Sequence, residues 1–260
     1  MSSSDFLLTI DNDNSFPHIK LFEKEQLKSV LTLEKLNDEY KNRIENKNFN
    51  VVISNVGKSN PMFENLQQHT LNLNKYKKDG IFFDMPFDYT ETIGDDRLFQ
   101  AYYIYKTIIQ AGKSERVLFI DAGTFTTLDI ISNNGFKGGF IAPGMQTFLN
   151  CYDHGAYLPV LNELNINTDK AIRIPHSTED AILDSCLFFQ KSFYKMFLEV
   201  YRDFDYFILT GGRYQKHKEI IMPMLKPETK IMVDPNLIHY SMSFVANVFL
   251  DYEKGRQQPQ

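Results

Sequence analysis

The stretch Arg116-Val-Leu-Phe-Ile-Asp121-Ala-Gly-Thr-Phe-Thr-Thr-Leu-Asp129, followed by Gly138-Gly-Phe-Ile-Ala-Pro-Gly144, decides how this chain is read. An apolar run delivers an acid, then a glycine turn, then hydroxyl residues. That order suits the phosphates of a nucleotide. Glycine lets backbone N–H groups approach phosphate oxygens without a Cβ in the way, hydroxyls donate hydrogen bonds, and the carboxylate can hold a cation that offsets phosphate charge. A strand ending in Asp-Ala-Gly is also an ordinary β-turn, so the weight lies in the ordered set around it. Upstream, Ile93-Gly-Asp-Asp-Arg97 opens a helical stretch; downstream come Thr178 and, at the end of another apolar run, Leu209-Thr-Gly-Gly212.

Composition narrows the class. At 260 residues and 43% hydrophobic, the chain can bury one large core or two modest ones. A formal net charge of −5 with scattered Lys and Arg argues against the concentrated positive patch that phosphate-tracking surfaces need, so no nucleic-acid partner is expected. No apolar run approaches the roughly 20 residues that span a bilayer, and Met1-Ser-Ser-Ser-Asp5 lacks the basic start and apolar core of a secretory signal. A soluble, cytoplasmic protein with no membrane partner is the expectation. Cys151 and Cys186 form no metal-binding pair by spacing and read as packing residues, and the histidines show no His-x-x-x-His spacing, so no zinc site is expected.

Along the chain, Phe6–Ile10 and His18–Phe22 read as strands joined by the polar turn Asp11–Ser15, and Leu27–Asn46 reads as a charged helix by spacing. Asn50–Ser54 is a buried-type strand. A helix starts near Asp95, with Leu98, Ala101, Tyr102 and Tyr105 on one face, and runs to about Gln110. After Gly112-Lys-Ser-Glu115, the runs Val117–Asp121, Phe125–Ile131 and Phe136–Ile141 repeat the strand–turn–strand opening of the first half. Helices from about Met145, from Thr178 to about Phe204 and from Asn236 to about Tyr252 alternate with strands at Tyr206–Leu209 and Lys230–Val233. Two α/β halves follow, each beginning with an acid on a β-turn.

The motifs Gly94-Asp-Asp-Arg97, Asp121-Ala-Gly-Thr-Phe-Thr-Thr-Leu-Asp129, Gly138-Gly-Phe-Ile-Ala-Pro-Gly144 and Thr210-Gly-Gly212, in this order, resemble those of type III pantothenate kinases. The resemblance implies an α/β fold of two ribonuclease H-like domains, in the superfamily of acetate and sugar kinases, heat-shock ATPases and actin. The halves would be 1–114 and 115–260. It also implies ATP-dependent phosphorylation of pantothenate, the first step of coenzyme A biosynthesis, with Mg2+ and a monovalent cation (K+ or NH4+), in a homodimer. Carried onto these residues, it makes Asp96 the catalytic base, with Phe87, Gly94, Asp95, Asp96, Arg97 and Thr178 around pantothenate. It places Asp11, Asn12, Asp13, Asn14, Ser15, Thr124, Gly211 and Gly212 around ATP, Asp121 on the monovalent cation and Asp11 on a divalent one. Structural readings stand beside these roles. Acids at a helix N-terminus suit the macrodipole, which accounts equally for Asp95 and Asp96. Thr178 reads also as a helix cap. Asp129 reads either as support for the phosphate loop or as a solvated acid near a turn, and Gly138, Gly139 and Gly144 either as close-approach points or as plain turns.

Four positions depart from the family pattern. Its first phosphate loop reads Asp-x-Gly-Asn-Thr, and here Asp13 replaces the glycine. A carboxylate about 4 Å from a phosphate charge is repelled by on the order of 4 kcal/mol at an effective dielectric near 20 unless a cation intervenes. Phe87 stands where a substrate-contacting tyrosine is usual, a hydrogen bond worth about 0.5–1.5 kcal/mol net. Thr90 replaces a common proline and Ser185 a common glycine. A catalytically impaired relative that binds a ligand or regulates is therefore the alternative to an active kinase.

Overall fold

A computed structural model describes residues 6–12, 17–23, 25–32, 35–36, 49–55, 63, 66, 70–171 and 173–256. The chain forms two compact units that do not follow chain order: Met1–Ala111 with Asn134–Lys137 and Asn236–Gln260, and Gly112–Asn133 with Gly138–Pro235. The closing helix (Leu237–Arg256), expected from chain order in the second half, is counted with the first unit because it packs on that unit's sheet and main helix.

The first unit is built on β1 (Phe6–Asn12), β2 (His18–Glu23), β3 (Gln26–Leu31) and β4 (Asn50–Asn55), in the order β3-β2-β1-β4. β1 pairs antiparallel with β2 and parallel with β4. Leu7, Leu8, Thr9 and Ile10 are all buried, the continuous pattern of a strand covered on both faces. Leu8 and Ile10 join Ile19, Leu21 and Val51 in a core on one face, and Thr9 Oγ1 meets His239 Nδ1 of the closing helix at 2.8 Å. The helix expected over Leu27–Asn46 begins instead as strand β3, where exposure alternates residue by residue as on an edge strand; residues 33–34 and 37–48 lie outside the described ones. A three-stranded ribbon of β5 (Lys77–Lys78), β6 (Ile81–Phe82) and β7 (Met85–Pro86) leads to helix α1 (Asp95–Ile104), which continues through a π-helical turn at Tyr105–Ile109. Leu98, Ala101, Tyr102 and Tyr105 are buried, as their spacing predicts.

The second unit repeats the plan. β8 (Arg116–Ala122), β9 (Phe125–Ser132), β10 (Gly135–Pro143), β11 (Tyr206–Thr210) and β12 (Lys230–Val233) lie in the order β10-β9-β8-β11-β12. β8 pairs antiparallel with β9 and parallel with β11, and β11 pairs parallel with β12. Helices α2 (Met145–Asn150), α3 (Thr178–Val200) and α4 (Tyr214–Ile221) complete it. Leu118, Ile120, Phe207 and Leu209 share a core with Ile182, Cys186, Leu187 and Tyr194 of α3 and Ile220 and Ile221 of α4. In both sheets a strand pairs antiparallel with its successor and parallel with a later strand, in the order third-second-first-fourth; this is the ribonuclease H-like arrangement. The parallel bridge Val51↔Thr70 stands in the first unit beside β4, where the second unit has its fifth strand.

Cys186 is buried as a packing residue, its thiol pushed up to about 12 by desolvation, whereas Cys151 is exposed, contrary to its reading as a packing residue. It opens the short 3-10 turn Cys151–His154 that follows α2, in which no residue is buried.

Candidate functional site

In the first unit, β1 ends at Asp11 and Asn12. The parallel register sets Asp11 opposite Ser54 and Asn12 opposite Asn55, so each pair shares a face of the sheet. Asn12 Nδ2 donates to Asn55 Oδ1 at 2.6 Å. The Ser54 hydroxyl is fully buried with no hydrogen-bond partner among the described residues. Asp13, Asn14 and Ser15, expected at ATP, lie outside the described residues.

The entrance to α1 is more fully determined. Gly94 is its N-cap, in extended backbone and with no side-chain cap, so Asp95 and Asp96 occupy the first turn, where the macrodipole favours negative charge. Desolvation by burial raises the Asp95 carboxyl above its ordinary range; a hydrogen bond with Asn74 and the charge of Lys77 oppose this, and Asp96 adds to it. Arg97 is 4% exposed. Its guanidinium carbon lies 5.0 Å from the Tyr89 ring centre and 5.5 Å from that of Phe136, and one of its terminal nitrogens donates to the Tyr89 hydroxyl at 3.3 Å. Phe87 is buried, and its backbone is bridged to Phe136, whose ring lies against this arginine. Sequence reasoning missed Tyr89, two residues beyond Phe87, and also Lys77 and Asn74.

In the second unit, Asp121 stands at the end of β8 with Thr127 of β9 and Thr210 of β11 directly opposite it on either side. The three side chains therefore share one face. The Thr127 and Thr210 hydroxyls are buried and have no hydrogen-bond partner among the described residues. Gly211 has φ +94, and a Cβ there would lie 2.4 Å from the Ala122 carbonyl oxygen and 2.5 Å from Asp121 Oδ1. Gly144 is held as closely: a Cβ would meet the carbonyl oxygens of Gly123 at 2.4 Å and Thr124 at 2.7 Å. The Thr124 carbonyl accepts from Gly144 N at 3.0 Å and from Thr147 Oγ1 at 2.5 Å. Arg213 N donates to the Ala122 carbonyl at 3.0 Å, tying the turn after Gly212 to the end of β8 beside Asp121.

Two structural readings change. Asp129 is fully buried, which removes the solvated alternative. The cap of α3 is Ser177, whose hydroxyl accepts from Asp180 N at 3.1 Å, and Thr178 is the exposed first residue of the helix.

Among the described residues, no group of three or more His, Cys, Asp or Glu is placed to hold a metal ion by itself. A magnesium ion that keeps its waters and is held through substrate phosphates and one carboxylate needs no such group. The carboxylate of Asp121 with two buried, unpartnered hydroxyls is an all-oxygen set, the chemistry that suits a hard monovalent cation. The space a Cβ at Gly211 would fill suits close approach of backbone to a phosphate.

Comparison with known proteins gives the family. The sequence profile of the type III pantothenate kinase family matches residues 7–199. The type III pantothenate kinase of Sulfurimonas denitrificans is 32% identical over 95 residues, covering 36% of this chain and 40% of that protein. That of Aquifex aeolicus is 27% identical over 218 residues, covering 79% of this chain and 86% of that protein. The chain thus spans less than half the length of the Sulfurimonas relative in its alignment. In fold it resembles a Campylobacter jejuni protein named for the Baf family of transcriptional activators, with a TM-score of 0.55 at 23% identity over 94% of this chain and 99% of that one. A Listeria monocytogenes protein assigned as an N-acetylmannosamine kinase superposes with a TM-score of 0.52 at 14% identity, over 95% of this chain and 99% of that one. No helix among the described residues is long and apolar enough to cross a membrane.

Proposed function

Because the chain belongs to the type III pantothenate kinase family, we propose that it transfers the γ-phosphoryl group of ATP to pantothenate, the opening step of coenzyme A synthesis. The observation that carries this reading is the entrance of α1, where Asp96 stands in the first turn beside a buried arginine that lies over the rings of Tyr89 and Phe136. Asp96 orients the attacking hydroxyl and accepts its proton. Arg97 holds the substrate carboxylate; the rings of Tyr89 and Phe136 keep water from the guanidinium and strengthen that charge-assisted bond. Phe87 contributes packing, Gly94 lets the substrate approach backbone, and Asp95 and Thr178 complete the pantothenate side.

ATP with Mg2+ supplies the migrating phosphoryl group and neutralises its charge. Around it, Asp11 and Asn12 stand at the mouth of the first phosphate loop, whose remaining residues are Asp13, Asn14 and Ser15, and Asp11 is the carboxylate for the divalent cation. Thr124 donates to phosphate oxygen, and Gly211 and Gly212 let backbone approach the nucleotide. Asp121, with Thr127 and Thr210, holds the monovalent cation. The protein works in the cytoplasm as a homodimer; light scattering on the full chain should give a mass near twice the 30.3 kDa of one copy, and a single-copy mass would overturn this.

The test is pantothenate-dependent turnover of ATP in the presence of magnesium and potassium. Asp96→Asn should lower kcat by on the order of 10²–10⁴-fold with the fold intact, the usual worth of a positioned base. Equal turnover in the variant would defeat the assignment of the base. No turnover in the natural chain, with pantothenate still bound, would favour a ligand-binding or regulatory relative.

A further inference from the structure

Lys77 is singled out by no motif, lies 18 residues before Asp95 in the chain, and reaches the entrance of α1 across the ribbon that precedes it. Its side chain is only 10% exposed. The ammonium donates to the carbonyl oxygen of Glu91 at 2.5 Å and to that of Ile93 at 3.3 Å, and lies 3.9 Å from the Glu91 carboxylate. Ile93 is the last residue before the Gly94 cap and is itself buried. The two carbonyls it holds thus belong to the loop that aims the first turn of α1.

The charge of the same ammonium also favours the ionised form of Asp95, which desolvation disfavours and the neighbouring Asp96 disfavours further. Asn74, three residues before Lys77 on the short helix Leu73–Tyr76, bonds the Asp95 side chain directly. One short segment therefore supplies both a hydrogen bond and a counter-charge to an acid in the first turn, together with a clamp on the loop before it. Two adjacent, partly buried acids repel each other at a helix start that no side chain caps; a cation at this place lets both stay together in a fixed turn.

We infer that Lys77 is a positioning residue for the candidate base Asp96: it clamps Glu91–Ile93 and offsets Asp95, so that the first turn of α1 presents Asp96 in one geometry. This rests on the kinase reading for its effect on rate but not for its effect on the loop. A misplacement of about 1 Å at a reacting group costs on the order of 100-fold in rate, so loss of the clamp is read mainly in kcat.

The experiment compares the natural chain, Lys77→Met and Lys77→Arg, each as the full chain. Lys77→Met keeps the stem and removes charge and donors; Lys77→Arg keeps both. The expected result is a fall in kcat of on the order of ten- to a hundredfold in Lys77→Met, with the KM for ATP unchanged and substantial recovery in Lys77→Arg. Amide hydrogen exchange over residues 90–97 should quicken in Lys77→Met and stay close to the natural chain in Lys77→Arg. The loss in Lys77→Met should also be smaller when measured in an Asp95→Asn background, because there is then less charge to offset. Unchanged exchange in Lys77→Met would overturn the clamp whether or not the chain is a kinase. An equal loss in Lys77→Met and Lys77→Arg, or an equal loss from Lys77→Met with and without Asp95→Asn, would overturn the charge argument. Faster exchange in Lys77→Met beside a natural chain without turnover would uphold the clamp and defeat the kinase reading alone.

Discussion

Gly211 and Gly212 are neighbours that sequence alone treats as one motif, yet the structure asks different things of them. Gly211 sits at φ +94 with backbone and the Asp121 carboxylate where a Cβ would go, whereas nothing lies within 4 Å of a Cβ at Gly212. Gly211→Ala therefore meets both left-handed strain and a backbone clash. It should lower unfolding stability by at least about 1–2 kcal/mol and raise the KM for ATP, since the turn must shift away from Asp121. Gly212→Ala should change stability by no more than about 0.5 kcal/mol. Thermal unfolding of the two variants checks this contrast; equal effects would show that the turn is not built as described. Single residues also mark where sequence reading stops. The motif gave Asp96 and Arg97 as a pair, but neither the rings of Tyr89 and Phe136 around the arginine nor the Lys77 clamp is visible in spacing. Lys77 comes from the ribbon and Phe136 from β10, so these contacts join residues far apart in the chain.

Among the elements, α3 and α4 share a buried polar contact. The Tyr194 hydroxyl and His217 Nδ1 form a short hydrogen bond, and both side chains are about 1% exposed. Desolvation, with a smaller contribution from the Arg213 charge, lowers the His217 pKa to about 4. The folded state thus binds a proton less readily than the unfolded one, whose histidine titrates near 6.5. The contribution to stability is complete above about pH 6.5 and falls away as the pH drops toward 4, by at most about 3 kcal/mol. His217→Gln should flatten the acid side of a stability-against-pH curve between pH 6.5 and 4; an unchanged curve would mean that other groups dominate, His239 first among them, whose pKa burial also lowers. Element identity was legible wherever a long buried run or a helical stripe marked it, as in β8, β11 and α3. β3 misled because Gln26-Leu-Lys-Ser-Val-Leu31 places its less exposed residues at every second position, a period of two rather than that of a helix. The ribbon β5–β7 carried its own signal, the pair Asp79-Gly80, both at positive φ as a tight hairpin turn requires.

Across the whole molecule, the repeated strand–turn–strand opening was readable because each copy is local. That Asn236–Gln260 belongs to the first unit was not, since a helix names no partner in its own sequence; the partner is fixed by burial on β1, β4 and α1. Phosphorylation of pantothenate, on which the functional reading turns, is best followed through its product. The full chain, incubated with pantothenate, ATP, magnesium and potassium beside the Asp96→Asn variant, should yield a new phosphate monoester signal by 31P NMR only when pantothenate is present, and almost none in the variant. A folded natural chain that leaves the γ-phosphate on ATP, or forms the ester equally well without the Asp96 carboxylate, would contradict it.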